Sequence, residues 1–228
     1  MNEKISLYLV RHGETIFNVN KRMQGWSDTP LTTDGKLRVQ FLGDEVKNIP
    51  FSVAFSSDSG RAIETIDILI KSNNIFGIQS YKLTGLRELY FGEYEGERIN
   101  IVWDKLAIKN ECQNIDNFLK MKMMDRMRLI FDENENPTAE TVGQLRDRVE
   151  KSLKLILAES QEKGYQNVLI VSHGVTIATI FNLIGFELSL EKSLPNASIS
   201  KIDYFNEKFK IDYIGKVAKG NCAKSTGN

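Results

Sequence analysis

The chain contains two histidines, and both stand in the same local context. His12 follows the apolar run at residues 5–10 as Arg11-His12-Gly13. His173 follows the apolar run at residues 168–171 as Ser172-His173-Gly174. A neutral imidazole offers one lone pair and one N–H, so it can act as nucleophile, proton carrier or hydrogen-bond donor near neutral pH. The echo favours two reactive rings, with a pair of satisfied core histidines or a chance echo as the alternative. Glycine after each ring fits a tight turn or a backbone close to a ligand. Arg11 favours the reactive reading. An arginine at the end of a buried strand is unfavourable unless paired or facing an anion, and its guanidinium fork matches two phosphate oxygens. Arg61 is a second candidate cation, in the first turn of a helix expected after a strand at 53–55. That helix N-terminus also favours an anion.

The elements that must position these groups are readable from hydrophobic period and caps. Residues 5–10, 53–55 and 168–171 read as buried strands, with a weaker strand at 78–83. Thr32-Thr33-Asp34-Gly35 opens a helix whose apolar face is Leu37, Phe41 and Leu42. Ser57 or Asp58 caps the next helix, with Ala62, Ile66, Leu69 and Ile70 on its face. A long helix over about 138–159 carries Val142, Leu145, Val149, Leu153 and Ile156, and another covers 175–184. Residues 198–205 and 209–214 alternate around Asn206-Glu207, a hairpin signal. Alternating strands and helices predict a three-layer α/β/α sandwich with a mostly parallel central sheet. Residues 1–215 form one domain with a small helical insertion at about 89–137, and 216–228 form a polar tail. Ligands of such sheets bind beyond the carboxyl ends of the strands, where both histidines lie.

Composition narrows the partners. Lys plus Arg is 30 and Asp plus Glu is 30. That balance gives no overall field for nucleic acid or an anionic membrane, so any anion must meet a local cluster of cations. No run approaches the roughly 20 apolar residues of a membrane span, and the opening residues carry no signal-peptide pattern. Cys112 and Cys222 are far apart, with no Cys-x-x-Cys. Neither a zinc site nor a disulfide framework is indicated, and a reduced, cytoplasmic setting is expected. Two arginines beside the histidines would repel a metal cation. The sequence leaves the oligomeric state open.

Leu9-Val-Arg-His-Gly-Glu-Thr15 resembles the signature of the histidine phosphatase superfamily, which includes cofactor-dependent phosphoglycerate mutases and many small-molecule phosphatases. The likeness continues through Asn18, Gln24-Gly25-Trp26, Thr29-Pro30-Leu31-Thr32, Gly35 and Ser56–Ala62 with Thr65. It resumes at Leu86-x-Glu88, Phe91-Gly92 and Glu95-Gly96, and closes at Val171-Ser172-His173-Gly174. The resemblance implies that His12 attacks phosphorus and forms a phosphohistidine. Arg11, Arg61 and His173 then surround the phosphoryl oxygens, with Asn18 donating a further hydrogen bond. Glu88 protonates the leaving oxygen and afterwards activates water, and Gln24 and Gly25 contact the substrate. The implied substrate is a small phosphorylated metabolite, and neither metal nor cofactor is implied. Without the family, Glu88, Asn18 and Gln24 would read as ordinary solvated polar residues.

Mutases of the family carry a basic glycine-rich segment after the acid, and further cations in a longer insertion. Here residues 90–98 contain Glu93, Glu95 and Glu97, and the insertion is short. The resemblance therefore favours the phosphatase branch, with a mutase or a catalytically silent phospholigand-binding module as alternatives. Arg11, His12, Arg61, Glu88 and His173 are all present, which argues against silence. Ala139-Glu140-Thr141 stands where the family commonly has Gly-Glu-Ser. Residues 120–128 hold four of the six methionines. They read as an amphipathic helix packing Met121 and Met124, or as a lid in which Lys122, Arg126 or Arg128 reaches a second anionic group. A neutral His12 beside protonated His173 and Glu88 predicts a bell-shaped pH profile, with its optimum near or below neutrality.

Overall fold

A computed structural model describes residues 3–72, 77–112, 114–135, 138–188 and 194–220. Strand β1 (Ile5–Arg11) has no polar face. Leu7 and Leu9 enter one apolar cluster, and Tyr8 and Val10 enter another. The two-residue period of a strand divides them in this way, and burial on both faces explains the unbroken apolar run. Short α1 (Ile16–Val19) follows, capped by Thr15. Then α2 (Thr33–Val46) starts at Thr32, whose hydroxyl accepts the Gly35 N–H at 2.9 Å. Its buried face is Gly35, Val39, Leu42 and Val46, while Leu37 is exposed. The expected face was therefore wrong at Leu37. Gly35 lies so close to the Glu14 backbone that a Cβ there would collide with the Glu14 carbonyl. That close approach fixes which side of the helix meets the sheet.

Strand β2 (Val53–Ser56) leads into α3 (Gly60–Ser72). Neither Ser57 nor Asp58 is the cap. The helix begins one residue after Ser59, and Asp58 is engaged by Arg87 at 2.7 and 2.6 Å. The weak strand is real but shorter, β3 (Ser80–Lys82). The insertion holds α4 (Ile99–Lys109), α5 (Ile115–Leu119) and α6 (Met123–Asp132). Helix α7 (Val142–Lys163) runs later than expected at both ends. Thr141 and Gln144 form a capping box at its start, and Gly164 stops it at φ 69°. Then come β4 (Asn167–Ser172), α8 (Gly174–Leu183), β5 (Ser198–Phe205) and β6 (Lys208–Val217). The hairpin turn has Asn206 at φ 48° and Glu207 at φ 61°, as a two-residue primed turn requires. Strand β6 continues past Gly215, so the tail does not begin there. Residues 221–228, including Cys222, lie outside the described residues.

The sheet order is β3-β2-β4-β1-β5-β6, with β5 antiparallel to both neighbours. The pairs β1–β4, β2–β4 and β2–β3 are parallel. Buried residues of α2 and α3 pack on one face of the sheet, and those of α7, α8 and the insertion on the other. The result is the expected α/β/α sandwich. Among the described residues no helix is long and apolar enough to cross a membrane.

Candidate active site

Parallel pairing of β1 with β4 sets Val10 opposite Val171 and Arg11 opposite Ser172. The next residue on each strand is a histidine, so His12 and His173 leave the sheet side by side. Their ring centroids are 5.1 Å apart and both side chains are buried. His12 Nδ1 lies 2.8 Å from the Gly13 carbonyl. A carbonyl can only accept, so Nδ1 carries the hydrogen and Nε2 keeps the lone pair. This is the tautomer that a nucleophilic imidazole needs.

Two residues that sequence reasoning passed over hold this backbone. The Ala197 N–H donates to the carbonyls of Arg11 and His12, at 3.1 Å each. Asn196 Nδ2 donates to the His12 carbonyl at 3.1 Å and to Asn18 Oδ1 at 3.1 Å. Asn18 Oδ1 also accepts from the N–H and hydroxyl of Thr15. With Oδ1 so occupied, the Asn18 amide presents Nδ2 as its remaining edge, which makes it a donor. The only sequence signal for this brace was the Pro195-Asn196 turn before the β5 alternation.

The cations are arranged less symmetrically than the resemblance suggested. Arg61 is almost wholly buried, and its terminal nitrogens are already occupied. Nη1 donates to the Ser27 carbonyl at 2.8 Å and to Asp28 at 2.9 Å, and Nη2 to the Gly25 carbonyl at 2.7 Å. Only Nε remains without a partner. Arg61 therefore brings a charge and one N–H, not a two-pronged fork. Arg11 donates Nη1 to the Leu194 carbonyl and likewise has a buried, unpartnered Nε. His173 Nε2 meets Ser59 Oγ at 3.2 Å, and its Nδ1 is buried without a partner. Among the described residues, Arg11 Nε, Arg61 Nε and His173 Nδ1 are thus three buried nitrogens with no acceptor, on the two arginines whose charge acts on His12 and the ring beside it. Buried donors are rarely left so, and an oxyanion would satisfy them together.

Glu88 is buried, and α8 holds it in place. Its carboxylate accepts from the backbone N–H groups of Val175 at 3.0 Å and Thr176 at 3.1 Å. The Leu89 N–H and the Thr176 hydroxyl add 3.1 and 3.2 Å bonds. A Cβ on Gly174 would lie 3.6 Å from Arg11 Nε and 3.8 Å from Glu88, so the missing side chain leaves room between these two groups. The loop bearing Glu88 is itself tied down. Arg148 donates to the carbonyls of Gly85, Arg87 and Glu88 at 3.0, 2.6 and 2.9 Å, and pairs with Glu140. Replacing Arg148 by leucine would leave the half-buried Glu140 carboxylate without its counter-ion and the Gly85 carbonyl without its donor, while the Arg87 and Glu88 carbonyls would keep only the Thr176 hydroxyl and the Trp26 indole N–H. A loss of roughly 3–5 kcal/mol of stability is expected, to be read by urea unfolding. A loss below about 1 kcal/mol would show that the brace is incidental.

These groups open onto a cleft of about 410 Å³. Arg11, His12, Asn18, Gln24 and Glu88 are among its polar lining. Phe91, Ile99, Trp103, Met123 and Met127 supply apolar walls, with Arg22 and Arg126 also reaching it. Gln24 reaches the wall, anchored by bonds to Thr15 and Thr29. Gly25 does not reach it. Its N–H goes to Glu95, its carbonyl to Arg61, and a Cβ there would collide with the Leu89 carbonyl. Of the methionines, Met123 and Met127 form the cleft seam rather than Met121 and Met124. Among the described residues, no group of three or more His, Cys, Asp or Glu could hold a metal ion.

A family model for "Histidine phosphatase superfamily (branch 1)" matches residues 7–216. The chain belongs to the histidine phosphatase superfamily. A Proteus mirabilis relative named "Probable phosphoglycerate mutase GpmB" is 30% identical over 89% of this chain and 86% of its own. A crystal structure of phosphoglycerate mutase from Bacillus anthracis superposes with a TM-score of 0.89 at 32% identity, covering 94% of each chain. The alpha-ribazole phosphatase of Shigella flexneri shares the fold, with a TM-score of 0.70 at 23% identity over 95% of this chain and 98% of that one.

Within this histidine phosphatase fold, electrostatics keep both rings neutral. Burial first, then Arg61 and Arg11, push the His12 pKa well below the ordinary 6.5. Burial first, then Arg61, His12 and Arg11, do the same to His173. The expectation of a protonated His173 is thus corrected for the unliganded protein. A neutral His173 can still donate from Nδ1 while Nε2 accepts the Ser59 hydroxyl. The same shifts set a stability signature. Below pH 6.5 the unfolded histidines bind protons that the folded ones refuse, so stability falls as pH falls. Each fully depressed histidine gives a slope of about 1.4 kcal/mol per pH unit. The chain has only these two histidines, so stability is expected to drop by up to roughly 3 kcal/mol between about pH 6 and 5. Urea titration of the native protein and of His12→Gln should show the slope halved in the variant. A flat profile in this window would contradict neutral, buried rings.

Proposed function

We propose that this protein is a metal-independent phosphomonoester hydrolase acting on a small phosphorylated metabolite in the cytoplasm. The observation that carries the reading is a trio of buried nitrogens with no acceptor among the described residues, Arg11 Nε, Arg61 Nε and His173 Nδ1, together with a His12 whose Nε2 lone pair is free. His12 Nε2 attacks phosphorus as the ester P–O bond breaks, and Glu88 delivers a proton to the leaving oxygen. Glu88, now ionised, takes a proton from water as the water oxygen attacks phosphorus and the P–N bond breaks. Inorganic phosphate leaves, and both residues return to their starting forms. Arg11, Arg61, His173 and Asn18 offset charge on the transferring oxygens, where most phosphoryl-transfer catalysis resides. Metal independence rests on the two arginines, whose charge opposes a cation. A cytoplasmic setting rests on the two scattered cysteines.

The Proteus mirabilis relative and the Bacillus anthracis structure favour a second reading, phosphoglycerate mutase. Two features speak for hydrolysis instead. Glu95 accepts the N–H groups of Gly25, Trp26, Ser27 and Phe91, so the acidic segment builds architecture and brings no cations to the substrate. The cleft wall formed by Phe91, Ile99, Trp103, Met123 and Met127 suits a substrate with a hydrocarbon or aromatic body more than a short, highly polar acid. Hydrolysis of a panel of metabolite phosphates in chelator, beside isomerisation of 3-phosphoglycerate with bisphosphoglycerate primer, separates the two. Metal-free phosphate release with little isomerisation supports the hydrolase. Isomerisation that outpaces hydrolysis overturns it.

A further inference from the structure

Arg126 is the one residue of the basic stretch that turns inward. Lys122 pairs with Glu187 at 3.0 Å, and Arg128 lies 3.7 Å from Asp132, both on the exterior. Arg126 instead lines the cleft, with its guanidinium carbon 5.8 Å from the Trp103 ring centroid. Among the described residues its buried Nε has no hydrogen-bond partner. Among them no acidic side chain offsets its charge, and burial lowers its pKa. A half-buried arginine without a counter-ion is an unfavourable arrangement. Its donors suit a planar carboxylate better than any neutral group. Phe91, Met123 and Met127 line the same cleft as Arg126 and His12, and these side chains favour hydrocarbon or aromatic surface.

Building on the hydrolase reading, we infer that the preferred substrate is a phosphate ester with an apolar or aromatic body and a carboxylate at its far end. The phosphoryl group sits at His12, the body lies along the methionine and phenylalanine wall, and the carboxylate is held by Arg126. Such a molecule would meet the unpartnered nitrogens of both cleft-lining arginines, Arg11 and Arg126.

The test compares phenyl phosphate with 4-carboxyphenyl phosphate, 4-(2-carboxyethyl)phenyl phosphate and their carboxamides, using the full chain. In the intact protein, kcat/KM for at least one carboxylated ester should exceed that of its own carboxamide by roughly tenfold or more, as a charge-assisted bond to a desolvated cation gives. In Arg126→Leu this ratio should fall to near one, and Arg126→Lys should restore part of it. Equal turnover of acid and amide in the intact protein overturns the inference, as does a ratio that survives in Arg126→Leu. If no ester is turned over, the hydrolase reading fails by itself. Calorimetric binding of the same pairs to His12→Ala then decides the subsite, with tighter binding of the acid supporting it and equal or absent binding overturning it.

Discussion

Replacing His12 by alanine is expected to lower kcat for p-nitrophenyl phosphate by a factor on the order of 10⁴ or more, since removal of a covalent nucleophile leaves only binding and charge stabilisation. No neighbouring group can take over. His173 is the only other imidazole, and it lies with its Nε2 on Ser59 and its centroid 5.1 Å from His12. With Nε2 on Ser59 and a buried Nδ1, His173 is placed to donate a hydrogen bond and not to attack. The backbone around position 12 is held by Ala197 and Asn196 through main-chain carbonyls, so it survives loss of the ring. The variant should therefore stay folded and still bind vanadate or phosphate at Arg11, Arg61 and His173. Retention of more than about a tenth of the activity, in a folded variant, would exclude a phosphohistidine route.

Glu88→Gln separates the two half-reactions. For an alkyl phosphate the leaving alkoxide needs a proton, and kcat is expected to fall by roughly 10²–10⁴. For p-nitrophenyl phosphate the leaving group departs unaided, so formation of phosphohistidine is spared and its hydrolysis is slowed. The enzyme should then accumulate in the phosphorylated form. The substitution carries a structural cost. Both carboxylate oxygens accept N–H groups from Val175, Thr176 and Leu89, and an amide nitrogen would face one of those donors. A stability loss of about 1–3 kcal/mol is expected, so Glu88→Ala serves as a companion variant. Equal losses on alkyl and p-nitrophenyl esters, with no accumulation, would assign Glu88 a purely structural place.

The parts of this architecture that follow local rules were legible in the sequence. β1 and β4 announce themselves by unbroken apolar runs, and their shared ending places both histidines at one sheet edge. The face of α7 and the cap at Thr32 were likewise readable from period and chemistry. What was not legible depends on contacts distant in sequence. Arg61 reads as a phosphate-binding cation until the 24–28 loop folds over it and takes four of its donors. Arg148 and Glu140 look like surface charges, yet they clamp the carbonyls around Glu88. Asn196 reaches the nucleophile only because β5 pairs with β1, setting Ile199 opposite Val10. In the insertion, a helix starting after Lys122 rotates Met123, Arg126 and Met127 into the cleft. A shift of two residues in the start would have presented another set. The neutral state of His173 follows from burial and two nearby guanidiniums, which spacing alone does not disclose.

Transfer of the phosphoryl group to His12 is the step on which everything else depends. The direct measurement mixes Glu88→Gln with p-nitrophenyl phosphate in chelator, stops the reaction in alkaline denaturant to preserve phosphohistidine, and maps the modified residue by peptide mass spectrometry. A phosphoryl group on the peptide containing His12, formed as fast as the first burst of p-nitrophenol and absent when His12 is alanine, is the expected result. Steady release of p-nitrophenol with no burst and no phosphorylated His12 would contradict the covalent mechanism and point to direct attack by water.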